Sequence, residues 1–156
     1  KLNEQFGAGP FFAIDVVPVE DVKSRGEEAE FVHASAFGIC NEVPVELMVI
    51  DRMAPSRAAD RFAGTTFPRF HHIAYAVPAA EVEATRAALD ASGLPEYLQA
   101  SFGEDVNFTY HDGSGSLGHD IEVHVDSDGL RGFFAMFEEA AADWDGSGDL
   151  VRPAFG

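Results

Sequence analysis

Two short alternating runs, about fifty positions apart, constrain this chain more than any other feature. Residues 70–77 (FHHIAYAV) and residues 120–125 (DIEVHV) both have the period of two that is typical of a β-strand. In the first run His72 shares a face with two alanines, and in the second Glu122 shares a face with His124. An imidazole and a carboxylate on neighbouring strands are side chains from which metal sites are built.

A third run, residues 43–50 (VPVELMVI), places a second carboxylate, Glu46, on an alternating strand. Each candidate also has a purely structural interpretation. His72 is then a half-buried histidine that binds no metal, and the glutamates form salt bridges or lie on an exposed strand face. A carboxylate in a central strand is costly to bury without a partner, and this favours the metal interpretation of Glu122.

The composition excludes several classes of partner. The 156 residues carry a formal net charge of −17, so we expect no nucleic-acid partner and no membrane partner. A polyanionic ligand requires a local basic pocket, and the cluster that offers one is Arg52, Arg57, Arg61 and Arg69.

The single cysteine, Cys40, cannot form an internal disulfide, which fits a cytoplasmic protein. Its sequence context offers no histidine base, so we interpret it as a small buried apolar residue. A hydrolytic triad has no support either, because the chain contains no GxSxG motif.

The pattern of residues 69–126 predicts β-α-β-β-β, and Pro78 ends the opening strand. The first half shows the tail of a helix followed by strands at 11–17, 30–39 and 43–50, with a charged loop at 18–29. Residues 51–68 are predicted to be a linker with a helical turn near 56–62. An amphipathic helix is predicted at 130–144, with an aromatic stripe for core or dimer packing made of Phe133, Phe134, Phe137 and Trp144.

The two halves indicate an internal repeat when Gly7 is matched with Gly93 and Glu46 with Glu122. In this register the counterpart of His72 falls before Lys1. We therefore expect an α+β fold of paired βαβββ modules in which the first module lacks its opening strand. The predicted segments are a first module at 1–52, a linker at 53–68, a second module at 69–126 and a C-terminal helix and tail at 127–156.

The runs FHHIAYAVP, VELMVI and LGHDIEVH, in this order and spacing, resemble the vicinal oxygen chelate superfamily. The segments GAGPFF at 7–12, PSR at 55–57 and GFFAMFEEAAADWDGS resemble its glyoxalase-like branch, near methylmalonyl-CoA epimerase. The resemblance implies a half-open, U-shaped mixed sheet around one divalent metal ion. By position it implies that the metal ligands are Glu46, His72 and Glu122.

The resemblance also implies a reaction type. The metal would bind a small oxygenated substrate, and a carboxylate would move a proton next to a carbonyl, as in an isomerase, epimerase or lyase. Glu46 or Glu122 would act as the base, and His124 is a candidate acid or base. Tyr110 and Asn107 are candidate substrate contacts. The ligand set does not choose between Mn, Co, Ni, Fe, Zn and Mg.

Two other functions stay open at this point. One is a drug-binding protein that resembles the bleomycin-resistance proteins and has no catalytic activity, which the acidity would suit if the ligand is a cation. The other is an extradiol-type dioxygenase, which the carboxylate at Glu46 disfavours.

Three further histidines, His71, His111 and His119, are interpreted as structural or loop-edge residues. The open sheet edge predicts a homodimer.

Overall fold

A computed structural model of the chain describes residues 1–55 and 68–155. These residues form a mixed α+β structure, which confirms the predicted fold class, and their strands are arranged in two sheets rather than in the one half-open sheet that was expected. The described helices and strands are α1 (Leu2–Phe6), β1 (Phe11–Ile14), β2 (Val19–Ser24), β3 (Glu27–Glu28), β4 (Glu30–Cys40), β5 (Val43–Ala54), β6 (His72–Pro78), α2 (Val82–Ala91), β7 (Glu96–Phe102), β8 (Val106–His111), β9 (Asp120–Asp126), α3 (Asp128–Ala142) and β10 (Val151–Pro153).

The chain forms two compact units, and neither is a continuous segment. The first unit contains residues 1–17, 32–51 and 131–156, and the second contains residues 18–31 and 52–130. None of the described helices is long and apolar enough to cross a membrane.

The six-stranded sheet has the order β3-β2-β7-β8-β9-β6. β6 and β9 are parallel, and β9, β8, β7 and β2 are antiparallel in turn. The elements β6-α2-β7-β8-β9 follow the β-α-β-β-β order predicted for residues 69–126. Apolar residues such as Leu98 and Val123 are buried in this sheet, and Val82 is the buried residue of α2. Parallel pairing of β6 with β9 brings the two alternating runs of the sequence side by side.

The four-stranded sheet has the order β10-β1-β4-β5. Phe137 of α3 is almost fully buried, and its ring lies 5.5 Å from that of Phe12 and 5.6 Å from that of Phe37. The ring of Phe133 is 5.0 Å from Phe37, so the aromatic stripe of the helix forms core. Core packing is thus shown for Phe137, with Phe133 against it, whereas Trp144 lies beyond the end of α3.

The prediction of a loop at 18–29 is wrong. Residues 19–24 form β2, which pairs with β7, and residues 27–28 form β3, which pairs with β2. The charged side chains of β2 are exposed, and the segment lacks the alternation of apolar and polar residues that predicts a strand. Its strand conformation depends on pairing with a partner more than seventy residues away, which local sequence does not specify.

Other differences are smaller. β1 ends at Ile14, β5 continues to Ala54, and β6 begins at His72. The last helix starts earlier than predicted, at Asp128. The helical turn predicted near 56–62 lies outside the described residues.

Candidate functional site

The parallel pair β6–β9 brings the predicted histidine and carboxylate together. Its register aligns Ala74 with Glu122 and Ala76 with His124. Because side chains alternate across a strand, the even-numbered residues of both strands share one face of the sheet. The small side chains of the two alanines leave space for the larger groups on β9, and His72 reaches Glu122 diagonally.

Glu122 lies between two imidazoles. The Nε2 atom of His72 is 3.0 Å from Oε2 of Glu122, and the Nε2 atom of His124 is 3.2 Å from the same oxygen. The three side chains expose only 11%, 7% and 12% of their surface, for His72, Glu122 and His124 respectively. We call these three residues the His–Glu–His cluster.

The two imidazoles determine the charge state of the carboxylate. Burial on its own would raise the pKa of Glu122, but the attraction and hydrogen bonds of His124 and His72 outweigh it. The pKa of Glu122 is therefore well below its ordinary value, and the carboxylate is ionised at neutral pH. An ionised carboxylate accepts hydrogen bonds, so both Nε2 atoms are arranged as donors to Oε2.

The other ring nitrogen of His124 is in a different situation. Within the described ranges, no group hydrogen-bonds to its buried Nδ1 atom. The hydrogen bond from Nε2 to Glu122 fixes the ring with Nδ1 as the remaining polar atom. A buried polar atom without a protein partner is a position where a ligand or water is expected to bind.

Aromatic and histidine side chains enclose the cluster. Tyr110 is 2% exposed and pairs with Glu122 across β8 and β9. Its ring lies 5.3 Å from that of His72 and 5.4 Å from that of His71. The Nδ1 atoms of His71 and His72 are 2.8 Å apart, so one of the two rings donates to the other. Tyr110 was predicted as a substrate contact, and the structure places it beside the cluster.

A second buried carboxylate, Asp120, lies next to the cluster on the same face of β9. It is 1% exposed, and the hydroxyl of Tyr97 donates to its Oδ2 atom over 2.8 Å. The pairing of β7 with β8 shifts by one residue between Glu96 and Leu98, and this bulge includes Tyr97. Bulges redirect side chains near functional sites, which explains how a strand residue reaches Asp120. The alternation of side chains along β9 places Asp120 on the same face as Glu122, so the sequence indicates Asp120 as a neighbour of the cluster. No sequence signal indicates Tyr97.

Glu46 belongs to the first unit. Its carboxylate is half-buried on β5 and accepts a hydrogen bond from the hydroxyl of Ser35, which is 4% exposed. The second unit thus brings together His72, Glu122 and His124, and Glu46 lies in the other unit with a serine partner of its own.

The remaining candidates lie elsewhere. Asn107 is exposed and is an odd-numbered residue of β8, so it lies on the face opposite to Tyr110. His111, expected at a loop edge, is fully buried, and its Nδ1–H donates to the carbonyl oxygen of Leu94 over 3.1 Å. His119 is half-buried in the turn before β9. Cys40 is only half-buried, not fully buried as predicted.

The side chains of the cluster are of types that bind divalent ions, imidazole and carboxylate. The 3.0 Å between His72 Nε2 and Glu122 Oε2 is a hydrogen-bond distance. As the side chains stand, no group of three or more His, Cys, Asp or Glu side chains in the described part of the chain is arranged to hold a metal ion. The imidazoles point at the carboxylate instead.

Comparison of the chain with models of known protein families and with curated protein sequences found no match.

Proposed function

We propose that the second unit carries the proton-transfer site of a metal-dependent, glyoxalase-like enzyme of the isomerase, epimerase or lyase type. The observation that carries the proposal is the contact of His124 with Glu122: a buried, ionised carboxylate holds one imidazole nitrogen, and the other nitrogen has no partner among the described residues. This is the arrangement of an oriented general base.

The roles follow from the electrostatics. Because the pKa of Glu122 is well below its ordinary value, Glu122 is a weak base, and it is better suited to orient His124 than to accept a proton from carbon. His124 then accepts the proton at Nδ1, while its Nε2–H stays bonded to Oε2 of Glu122. Imidazole changes its protonation state near neutral pH more readily than other side chains. This assigns to His124 the base function that the resemblance implies for Glu46 or Glu122.

A divalent ion would be held by two residues of the second unit: Glu122, and His72 in the tautomer that carries no hydrogen on Nε2. When bound, the ion would polarise a substrate carbonyl and stabilise negative charge that develops beside it. Tyr110, whose ring packs against His72, would close the site on one side and exclude water. The substrate is a small oxygenated molecule.

Metal binding is the first test. We expect the chelator-treated protein to bind about one Mn, Co, Ni or Zn ion per chain in calorimetric titrations. His72→Ala and Glu122→Gln should each weaken this binding by about 100-fold or more, because each removes a ligand. Glu138→Gln, which changes an exposed carboxylate on α3, is the matched control and should bind as the wild type does.

Proton transfer is the second test. The metal-loaded protein should exchange the hydrogen next to the carbonyl of one or more α-hydroxy or α-keto compounds with deuterium from the solvent, followed by NMR. His124→Ala should lower the rate at saturating substrate by about 100-fold or more while metal affinity is kept. Ligand binding without exchange would favour the binding-protein function. Absence of metal binding in the wild type would overturn the metal-dependent proposal.

A further inference from the structure

A second feature of the same unit has no part in the chemistry above. It is a cavity of about 340 Å³, beside the beginning of β6 and β9, and it is lined by residues 69–71, residues 118–120 and Ser114. The cavity adjoins the His–Glu–His cluster through His71, whose Nδ1 atom is 2.8 Å from that of His72. A ligand in this cavity would therefore lie close to the proposed reaction centre.

The cavity has a basic lining in a strongly acidic chain. Arg69 and two histidines contribute to its wall, although the chain has only 10 lysines and arginines against 27 acidic residues. Within the part of the chain that the structure describes, Arg69 has no ion pair or hydrogen bond. Arg86, by contrast, is bound by Glu83 at 2.9 Å and by Glu96 at 2.6 Å. The guanidinium of Arg69 is thus available for an external anion, to which it can donate two parallel hydrogen bonds.

The other side chains of the cavity are held in place. The Nδ1–H of His119 donates to the carbonyl oxygen of Leu117 over 3.1 Å, and its ring lies 5.1 Å from that of Phe70. Ser114 donates to Asp112 through both its amide and its hydroxyl. Such fixed polar groups lower the entropic cost of binding a ligand.

One lining residue is acidic, but it presents almost no surface to the cavity. Asp120 is 1% exposed and accepts the hydroxyl hydrogen of Tyr97. The loop that covers this region is rich in glycine, and a Cβ atom built on Gly118 would meet no atom within 4 Å. The space beside Gly118 in the cavity wall is therefore open.

We propose that this cavity binds an oxyanion group, a carboxylate or a phosphate, through the guanidinium of Arg69, beside the ring of His119. Where the proposal names the substrate class, it rests on the proposed function: the substrate carries an anionic group that Arg69 anchors while the cluster acts on a neighbouring carbon. The anion site itself does not depend on the metal.

The test uses the full chain, treated with chelator, and two probes: inorganic phosphate and succinate. Binding is followed by amide and side-chain shifts in ¹H–¹⁵N spectra. We expect at least one probe to bind, with shifts concentrated at Ser114, Gly118 and His119. Arg69→Gln should weaken binding by about 10-fold or more, because a charge-assisted contact is lost. Preference for phosphate or for succinate distinguishes the two sources of the oxyanion.

Arg25→Gln is the matched control. Arg25 is an exposed arginine of the same unit that does not line the cavity, so the variant should bind the preferred probe like the wild type. If neither probe binds, or if Arg69→Gln binds as tightly as Arg25→Gln, the inference is overturned. These outcomes are independent of metal titration: anion binding that depends on Arg69, without metal binding, overturns the metal-dependent proposal alone.

Discussion

Glu122 is buried between two imidazoles, and this determines how its ionisation contributes to stability. Its pKa is lower in the folded chain than in the unfolded chain. Burial raises this pKa, but the attraction and hydrogen bonds of His124 and His72 lower it by more. The ionised carboxylate therefore stabilises the fold above about pH 4.3, the ordinary value for glutamate, and this contribution is lost as the pH falls towards the folded-state pKa.

At the residue scale we predict that Glu122→Gln lowers the free energy of unfolding at pH 7 by about 1–3 kcal/mol, because charge-assisted hydrogen bonds become neutral ones. The difference from the wild type should narrow between pH 5 and pH 3, as the wild-type chain loses this contribution. Urea unfolding at pH 7, 5 and 3 measures it. Glu138→Gln should differ little from the wild type throughout. A difference for Glu122→Gln that grows on acidification would contradict the prediction.

At the scale of elements, the turn between β8 and β9 places His119 and Asp120 where the site requires them. The backbone at Gly113 approaches the carbonyl oxygen of His119 so closely that a Cβ atom on Gly113 would lie 2.3 Å from it. Contacts of this kind with backbone atoms are not relieved by a rotamer change. Only glycine allows the chain to pass at this point.

We therefore predict that Gly113→Ala destabilises the protein by about 1–3 kcal/mol, because the turn must open to admit a methyl group. Gly115→Ala in the same turn is the control, since a Cβ atom there meets nothing within 4 Å. It should leave stability unchanged or raise it by about 0.4–1 kcal/mol. Thermal unfolding of both variants measures the effect. Equal melting temperatures for the two variants would show that the turn yields at no cost.

The helices and strands differ in how well the sequence predicts them. The elements of residues 69–126 follow the predicted order, and α3 lies within two residues of the predicted helix at each end. These elements have a clear period or a helix-forming composition. β2 has neither, and it exists because β7 offers an edge with which it pairs.

At the scale of the whole molecule, β5 lies at the end of the four-stranded sheet in the described part of the chain. It exposes Val43, Leu47 and Val49, at 60%, 45% and 63%. A long sheet edge with exposed apolar side chains promotes pairing with another strand. In the homodimer that the sequence predicts, β5 is the expected contact.

We predict that the wild type is a dimer by light scattering and that Leu47→Lys combined with Val49→Lys yields a monomer, because lysines on an edge strand oppose pairing. The control is Val151→Lys on β10, which is 57% exposed at the other end of the same sheet and should leave the dimer intact. A monomeric wild type, or a dimer that persists in the double variant, would contradict the assignment.

The sequence by itself determined the features that depend on local period. Alternation indicated the strands of residues 69–126. It also placed His72 on the same face of its strand as Ala74 and Ala76, and Glu122 on the same face of its strand as His124. The same alternation places Asn107 and Tyr110 on opposite faces of β8. Each of these follows from the geometry of a single extended chain.

Only the tertiary structure decided which faces meet. The parallel register of β6 and β9 brings His72 and His124 to one oxygen of Glu122, the bulge at Tyr97 directs its hydroxyl to Asp120, and β2 joins the sheet of the second unit. The physical reason is that a strand makes its backbone hydrogen bonds with a neighbouring strand and not within itself. The choice of partner and of register depends on packing over the whole sheet rather than on neighbouring residues.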